Sequence, residues 1–134
     1  KIKTIGDAYL AVSGLPVPDT HHALNVVEAA VEILAFINSE KEKRLAVGET
    51  AFDARIGIHS GSVIAGVVGN TKFAFDIWGD DVNIAARLES NGEKGRINVS
   101  EATYQLAKHR FGFEHRGKVS AKYKGEIEMY FLKK

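Results

Sequence analysis

Between Phe75 and Ser90 the chain reads FDIWGDDVNIAARLES. A β-prone run from Phe73 to Trp78 stops at Gly79, and Asp80 or Asp81 then stands where a helix N-cap is wanted, with a carboxylate to accept the first free N–H groups. The helix predicted from there runs through Leu88 and is closed by Asn91-Gly92. At ~100° per residue Asn83 and Arg87 fall one turn apart on a single stripe, with Asp80 beside them. Val82, Ile84, Ala85, Ala86 and Leu88 cover most of the remaining surface. A short helix that is apolar nearly all round is built for burial, so its narrow polar stripe faces either a polar cleft or a solvent edge. An arginine in such a cleft suits phosphate, because its planar fork donates two parallel hydrogen bonds.

Upstream, Lys1 to Val12 reads as two β-prone runs around Gly6-Asp7, a pair suited to a two-residue hairpin turn. The stretch Gly14 to Asp19 contains two prolines and reads as a loop. Asp19 or Thr20 then caps a long helix in which Leu24, Val27, Val31 and Leu34 form one apolar stripe. Asn38 to Arg44 is its solvated end, and Gly48 marks the exit. Phe52 to His59 reads as a strand, and Val63 to Val68 as another. Downstream, Arg96 to Val99 is a strand and Ser100 with Glu101 starts a short helix to about His109. Phe111 to Val119 and Glu126 to Leu132 form a closing hairpin. Strands joined by short turns and mixed with helices argue for an α+β sandwich, with helices over a mostly antiparallel sheet.

The 134 residues suffice for one domain with its own core, residues 1–134, and not for two. With 45% hydrophobic and 26% charged residues the composition is that of a folded protein, which argues against disorder. A net charge of +1 without a concentrated basic face argues against a nucleic-acid partner. The absence of cysteine rules out disulfides and thiolate metal sites and suits a reducing, cytoplasmic location. No apolar run reaches the ~20 residues that span a bilayer. The chain opens at Lys1 without an initiator Met, in what reads as mid-strand, so it is expected to be a piece of something longer.

Asp7 at a hairpin tip can reach a hard cation such as Mg²⁺, although Gly-Asp is also simply a good turn, and one carboxylate needs a partner to hold the ion. The five histidines have no metal-ligand spacing; His59 ends a strand. Ser13, Ser60 and Ser62 lack the strand–turn–helix setting of a nucleophile elbow. Gly61, Gly66 and Gly69 match no phosphate-loop fingerprint. Arg116, Lys118, Lys122 and Lys124 read as a solvated strand edge.

Four segments together carry a resemblance. KIKTIGDAY (1–9) followed by VSGLP (12–16), ARIGIHSGSVIAGVVG, FDIWGDDVNIAARLES and the ending KYKGEIEMYFL resemble, in order, the signature segments of class III nucleotidyl cyclase catalytic domains. The resemblance runs over essentially the whole chain, as the C-terminal part of such a domain. It implies a ferredoxin-like sandwich whose N-terminal strand and helices are missing here. Asp7 would be one of two aspartates holding two catalytic ions, Mg²⁺ or Mn²⁺. Lys3 and Asp76 would read the base, Asn83 would orient the ribose, Arg87 would stabilise the transition state, and Lys122 would hold the triphosphate. Tyr123 replaces the small residue usual beside that lysine, and Ser62 stands where some members carry a phosphate-contacting arginine.

Lys3 can only donate and ionised Asp76 can only accept, which complements adenine's N1 acceptor and N6 donor; guanine presents the reverse, and guanylyl members use Glu at the lysine position. The resemblance therefore implies an adenylate cyclase that turns ATP into cyclic AMP and pyrophosphate, for signalling. The alternatives are a guanylate cyclase, or a non-catalytic cyclase-like module for dimerisation or regulation. It further implies a homodimer, with Asp7 from one protomer and Lys3, Asp76, Asn83, Arg87 and Lys122 from the other. Sensor or membrane domains upstream are expected in the full protein. Without the first aspartate the fragment alone is expected to be inactive, its bare strand edges closed by intermolecular or rearranged pairing.

Overall fold

The computed structural model describes residues 1–70, 72, 74–121 and 125–133. In chain order the elements are β1 (Lys3–Ile5), β2 (Ala8–Leu10), α1 (His22–Ala46), β3 (Ile56–Ile58), β4 (Ile64–Val68) and β5 (Ala74–Trp78). They continue with α2 (Asp80–Ser90), β6 (Ile97–Ser100), α3 (Glu101–Ala107), β7 (Phe113–Ala121) and β8 (Gly125–Leu132). The fold is α+β, as the sequence implies. Among the described residues no helix is long and apolar enough to cross a membrane.

The strands do not join in one sheet. β3, β6, β8 and β7 form a four-stranded sheet in that order, while among the described residues β1–β2 and β4–β5 each pair only within themselves. β3 runs parallel to β6, with Ile56 opposite Ile97 and Ile58 opposite Val99; the β6–β8 and β8–β7 pairs are antiparallel. The strand expected from Phe52 shrinks to Ile56–Ile58 because β6 offers a parallel partner only there. β2 and β3 have no strand between them among the described residues; a cavity of about 470 Å³ lies there instead, walled by residues 9–15 and 57–63.

The pleat sorts side chains to two sides. Ile97 and Val99 of β6 join Ile58, Tyr130 and Leu132 in a core closed by Leu24, Val27 and Ala30 of α1 and Ala107 of α3. Asn98, between them in sequence, turns the other way and donates from Nδ2 to the Leu88 carbonyl of α2 at 2.8 Å. Leu88 itself packs on Met129, with Ile84, Val119 and Ile127 around it. The stripe predicted on α1 is corrected at one place: Val31 is 40% exposed, and the fully shielded neighbour is Ala30. Neither Asp19 nor Thr20 caps α1 through its side chain. The N-cap position is His21, and Asp19 turns the incoming chain, accepting from the His21 N–H at 2.8 Å and from Asn25 Nδ2 at 2.9 Å.

α3 starts where expected, with Ser100 Oγ accepting from the Thr103 N–H. It is tied to β8 by Tyr104 stacked on Tyr130, ring centroids 4.0 Å apart, and by the Tyr130 hydroxyl donating to Glu101. That bond pushes the Tyr130 phenol up to about 12 and holds the Glu101 carboxyl below its ordinary value. Arg116 departs from its expected place on a solvated edge. A bulge between His115 and Gly117 turns it inward, where Nη1 donates to the Asn91 carbonyl at 2.8 Å and to Asn98 Oδ1 at 3.1 Å.

Helix α2 comes very close to β3 at Gly57. A Cβ on Gly57 would lie 2.2 Å from the Glu89 nitrogen and 2.7 Å from the Leu88 carbonyl carbon, both backbone atoms that cannot swing aside. Gly95 by contrast has φ +75° with nothing within 4 Å, so alanine there meets only backbone strain. Overpacking typically costs about 1–3 kcal/mol and an alanine forced into the left-handed region about 1–2 kcal/mol. Gly57→Ala is expected to destabilise at or above the top of the overpacking range and clearly more than Gly95→Ala, read as midpoint shifts in urea unfolding. Equal losses would show that the helix–strand approach is not the tight contact described.

Candidate active site

Helix α2 is positioned from its first residue by what precedes it. Gly79, at φ 126°, lets β5 end and the helix begin within one residue, and the Val82 N–H closes on the Gly79 carbonyl. Gly79 is the N-cap, so Asp80 and Asp81 lie in the first turn rather than capping it, where their charge still meets the positive end of the helix dipole. At the other end Asn91 caps the helix, its Nδ2 donating to the Arg87 carbonyl at 2.9 Å. The stripe expected of α2 is present: Asp80 and Asn83 are exposed and Arg87 half-buried, while Leu88 seats the helix in the core.

Of the residues singled out, Lys3 and Asp76 are brought together. They are 73 positions apart in sequence, yet Lys3 Nζ donates to Asp76 Oδ2 at 2.9 Å, joining the β1–β2 hairpin to the β4–β5 ribbon. Asp76 Oδ1 accepts the Ile77 N–H at 2.8 Å. The Lys3 ammonium first, and the Ile77 N–H second, hold the Asp76 carboxyl below its ordinary value. Lys3 retains further N–H donors and the carboxylate further lone pairs, so the pair can present one donor and one acceptor side by side to a third molecule.

Asp7 lies exposed in the turn between β1 and β2. Its oxygens suit a hard divalent cation, but no group of three or more acidic, histidine or cysteine side chains converges on a common point among the described residues. Asp7 therefore fits as one ligand and not as a complete ion site. Lys122 falls outside the described residues.

One cluster escaped the sequence reading. His59, directly after β3, joins two helices: Nε2 lies 2.8 Å from Asp81 Oδ1 on α2, and Nδ1 lies 2.8 Å from Ser100 Oγ at the head of α3. Ser60 Oγ and Thr103 Oγ1 add a second link at 2.9 Å. The cavity beside β3 is bordered by this cluster and by Asp81, Val82 and Ala85 of α2, not by the Asn83–Arg87 stripe. The only local signal was a histidine at a strand end before Ser-Gly; its partners lie 22 and 41 residues away, beyond any pattern of spacing.

The family described as the adenylate and guanylate cyclase catalytic domain matches residues 1–134. A germination-specific adenylate cyclase of Dictyostelium discoideum is 42% identical over 137 residues, covering 98% of this chain and 15% of that protein. A soluble guanylate cyclase of Caenorhabditis elegans is 38% identical over 134 residues, covering 98% of this chain and 19% of that protein. Among solved structures, a guanylate cyclase domain from Catenaria anguillulae in complex with GTP superposes with a TM-score of 0.89 at 38% identity, covering 98% of this chain and 70% of that one. The chain thus spans less than a fifth of each of these two curated relatives. Relatives of both nucleotide types are similar to it, so likeness alone does not choose the base.

The Lys3–Asp76 contact makes a titration prediction. A carboxyl held below its ordinary value near 3.8 keeps its partner throughout the range above that value and loses it only as pH falls through the lowered one. The Asp76 carboxyl carbon, followed by NMR, should titrate below an ordinary aspartate, and Lys3→Ala should move its midpoint up toward 3.8. An unmoved midpoint would mean that the ion pair does not form in solution.

Proposed function

The chain belongs to the adenylate and guanylate cyclase catalytic domain family, and on that premise we propose that it converts ATP into cyclic AMP and pyrophosphate. The observation that carries the choice of ATP is the Lys3–Asp76 pair, 2.9 Å apart on adjoining hairpins. The ammonium donates to adenine N1 and the carboxylate accepts from the N6 amino group. Guanine, with a hydrogen on N1 and a carbonyl at C6, would set donor against donor and acceptor against acceptor. A mispaired buried polar group costs about 1–3 kcal/mol, so two such mismatches support a preference of roughly 10²-fold or more.

The reaction is in-line attack of the ribose 3′-oxygen on the α-phosphorus; the bond to the bridging oxygen breaks and pyrophosphate leaves with its electron pair. Asn83 orients the ribose from the exposed stripe of α2, and Arg87, one turn on, meets the negative charge that grows on the α-phosphate oxygens. Lys122 binds the triphosphate. Asp7 would hold Mg²⁺ or Mn²⁺ together with a further carboxylate, and such an ion would supply Lewis acidity toward the 3′-hydroxyl and charge to offset the phosphates. The remaining steps belong to the side chains: the base is fixed by two hydrogen bonds, the sugar by one amide, and the developing charge by one guanidinium.

A second copy of the chain completes the site in this reading. The β4–β5 ribbon leaves Ile64, Val67, Phe75 and Trp78 exposed, and the β1–β2 hairpin leaves Ile5 and Tyr9 exposed. Apolar residues gathered on ribbons that pair with nothing else support a homodimer in which Asp7 of one protomer meets Arg87 of the other. The same reading puts the domain in the cytoplasm, beside regulatory domains that would account for the much greater length of its relatives.

Three measurements on the full-length protein test it. With wild type, kcat/KM should favour ATP over GTP, and Lys3→Glu combined with Asp76→Asn should reduce that preference at least 10-fold; undiminished discrimination would show that the base is read elsewhere. Arg87→Ala should lower kcat by ~10²–10³ with little change in KM. Mixing it with Asp7→Ala protein should restore part of the activity, since one of the two sites in a heterodimer is intact. Heterodimers that form without regaining activity would mean that each chain holds its own site.

A further inference from the structure

We propose that His59 is a positioning residue for the reaction, fixing the rotation of α2 and with it the aim of Asn83 and Arg87; the inference rests on the cyclase reading of that helix. Its imidazole is only 11% exposed and makes a hydrogen bond from each nitrogen, to Asp81 at 2.8 Å and to Ser100 at 2.8 Å. A carboxylate only accepts, so Nε2 carries the hydrogen toward Asp81, while Nδ1 shares a hydrogen bond with the Ser100 hydroxyl. Ser100 Oγ in turn accepts the Thr103 N–H at 3.3 Å. The ring therefore anchors the first turn of α2 to the head of α3, itself docked on β6 and β8.

The N-cap, Gly79, has no side chain to bond the first turn. Gly61 keeps the space for the link: a Cβ there would come within 2.5 Å of the Asp81 carboxylate, so a side chain would push Asp81 off His59. The far end of the helix is held separately, by Asn98 on the Leu88 carbonyl and Arg116 on the Asn91 carbonyl. Asn83 and Arg87 lie between these two anchors. A roll of ~10° about the axis moves a side-chain tip ~6 Å away by about 1 Å, and a misplacement of that size can cost on the order of 10²-fold in rate. The contact acts at a distance, since His59 borders the cavity on the side of α2 away from the stripe.

The test separates the two ends of the ring. In the full-length protein His59→Ala should lower kcat roughly 10- to 100-fold with KM for ATP within about 3-fold. His59→Gln, whose Nε2 donor reaches the place of the imidazole Nε2, should recover most of the loss; His59→Asn, which reaches only Ser100, should not. Asp81→Ala should match His59→Ala, and the double variant should be no worse than either. The Asn83 side-chain amide, selectively ¹⁵N-labelled, should shift in His59→Ala and return in His59→Gln. A wild type that cyclises neither ATP nor GTP would overturn the cyclase reading alone, because the Asn83 signal still reports the link. An unmoved Asn83 amide, an unchanged kcat per folded molecule, or additive losses in the double variant would each overturn the role of His59.

Discussion

The close approach of α2 to β3 is the constraint on which the rest depends. At Gly57 the helix lies so near the strand that even a methyl group would sit 2.2 Å from a backbone nitrogen. That contact sets the depth at which α2 rides on the sheet, but a helix seated on a flat glycine surface is free to slide or roll unless something else stops it. Polar links do so here, among them His59 on Asp81, Asn98 on the Leu88 carbonyl, Arg116 on the Asn91 carbonyl and Arg55 on Glu89. Asn98 is fully buried, and its amide is satisfied by the helix end it holds. Removing such a partner leaves a buried group unpaired, typically at about 1–3 kcal/mol, which is why polar contacts of this kind specify a geometry more firmly than apolar ones.

The Lys3–Asp76 pair works differently. Lys3 is nearly half exposed, and a surface pair of that kind contributes little to stability because water and salt screen it. Its value lies in chemistry. One donor and one acceptor are held a hydrogen bond apart by two hairpins that otherwise share no strand pairing, and the pair is oriented from the carboxylate side by the Ile77 N–H. On the cyclase reading a preformed pair spares the nucleotide the entropy of ordering two loose side chains at the moment of binding.

Much of this was legible in the sequence, for reasons that can be named. Turn chemistry and periodicity located α2, α3 and the hairpins, because Gly6-Asp7, Gly79, Ser100 and Asn91-Gly92 act locally and need no tertiary information. The polar stripe on α2 was legible for the same reason. What stayed hidden was set at long range. The three-residue length of β3 reflects where β6 begins, and the inward turn of Arg116 reflects a bulge in β7. His59 could not be read at all: each of its partners lies on another element. A family resemblance could name Lys3 and Asp76 as a pair; only the coordinates join them in one chain, and Lys122 stays outside what they describe.

The position of the stripe bears on how such a site can work. Charge that develops on a phosphate is best met where water is excluded, since in low dielectric a guanidinium is worth far more than in solution. Asn83 is exposed on the single chain, and the cavity beside β3 does not include the stripe. A surface arranged like this cannot dry itself. The exposed apolar residues of β4, β5, β1 and β2 stand on the hairpins that carry Asp76 and Lys3, so a partner covering them would also cover the Lys3–Asp76 pair. Association and desolvation are then the same event, and the need for a dry site is itself a physical reason for the reaction to be shared between two chains. In the proposed dimer, a helix that had to meet a second chain's groups would have little tolerance for roll, and the anchors at both ends of α2 restrict it.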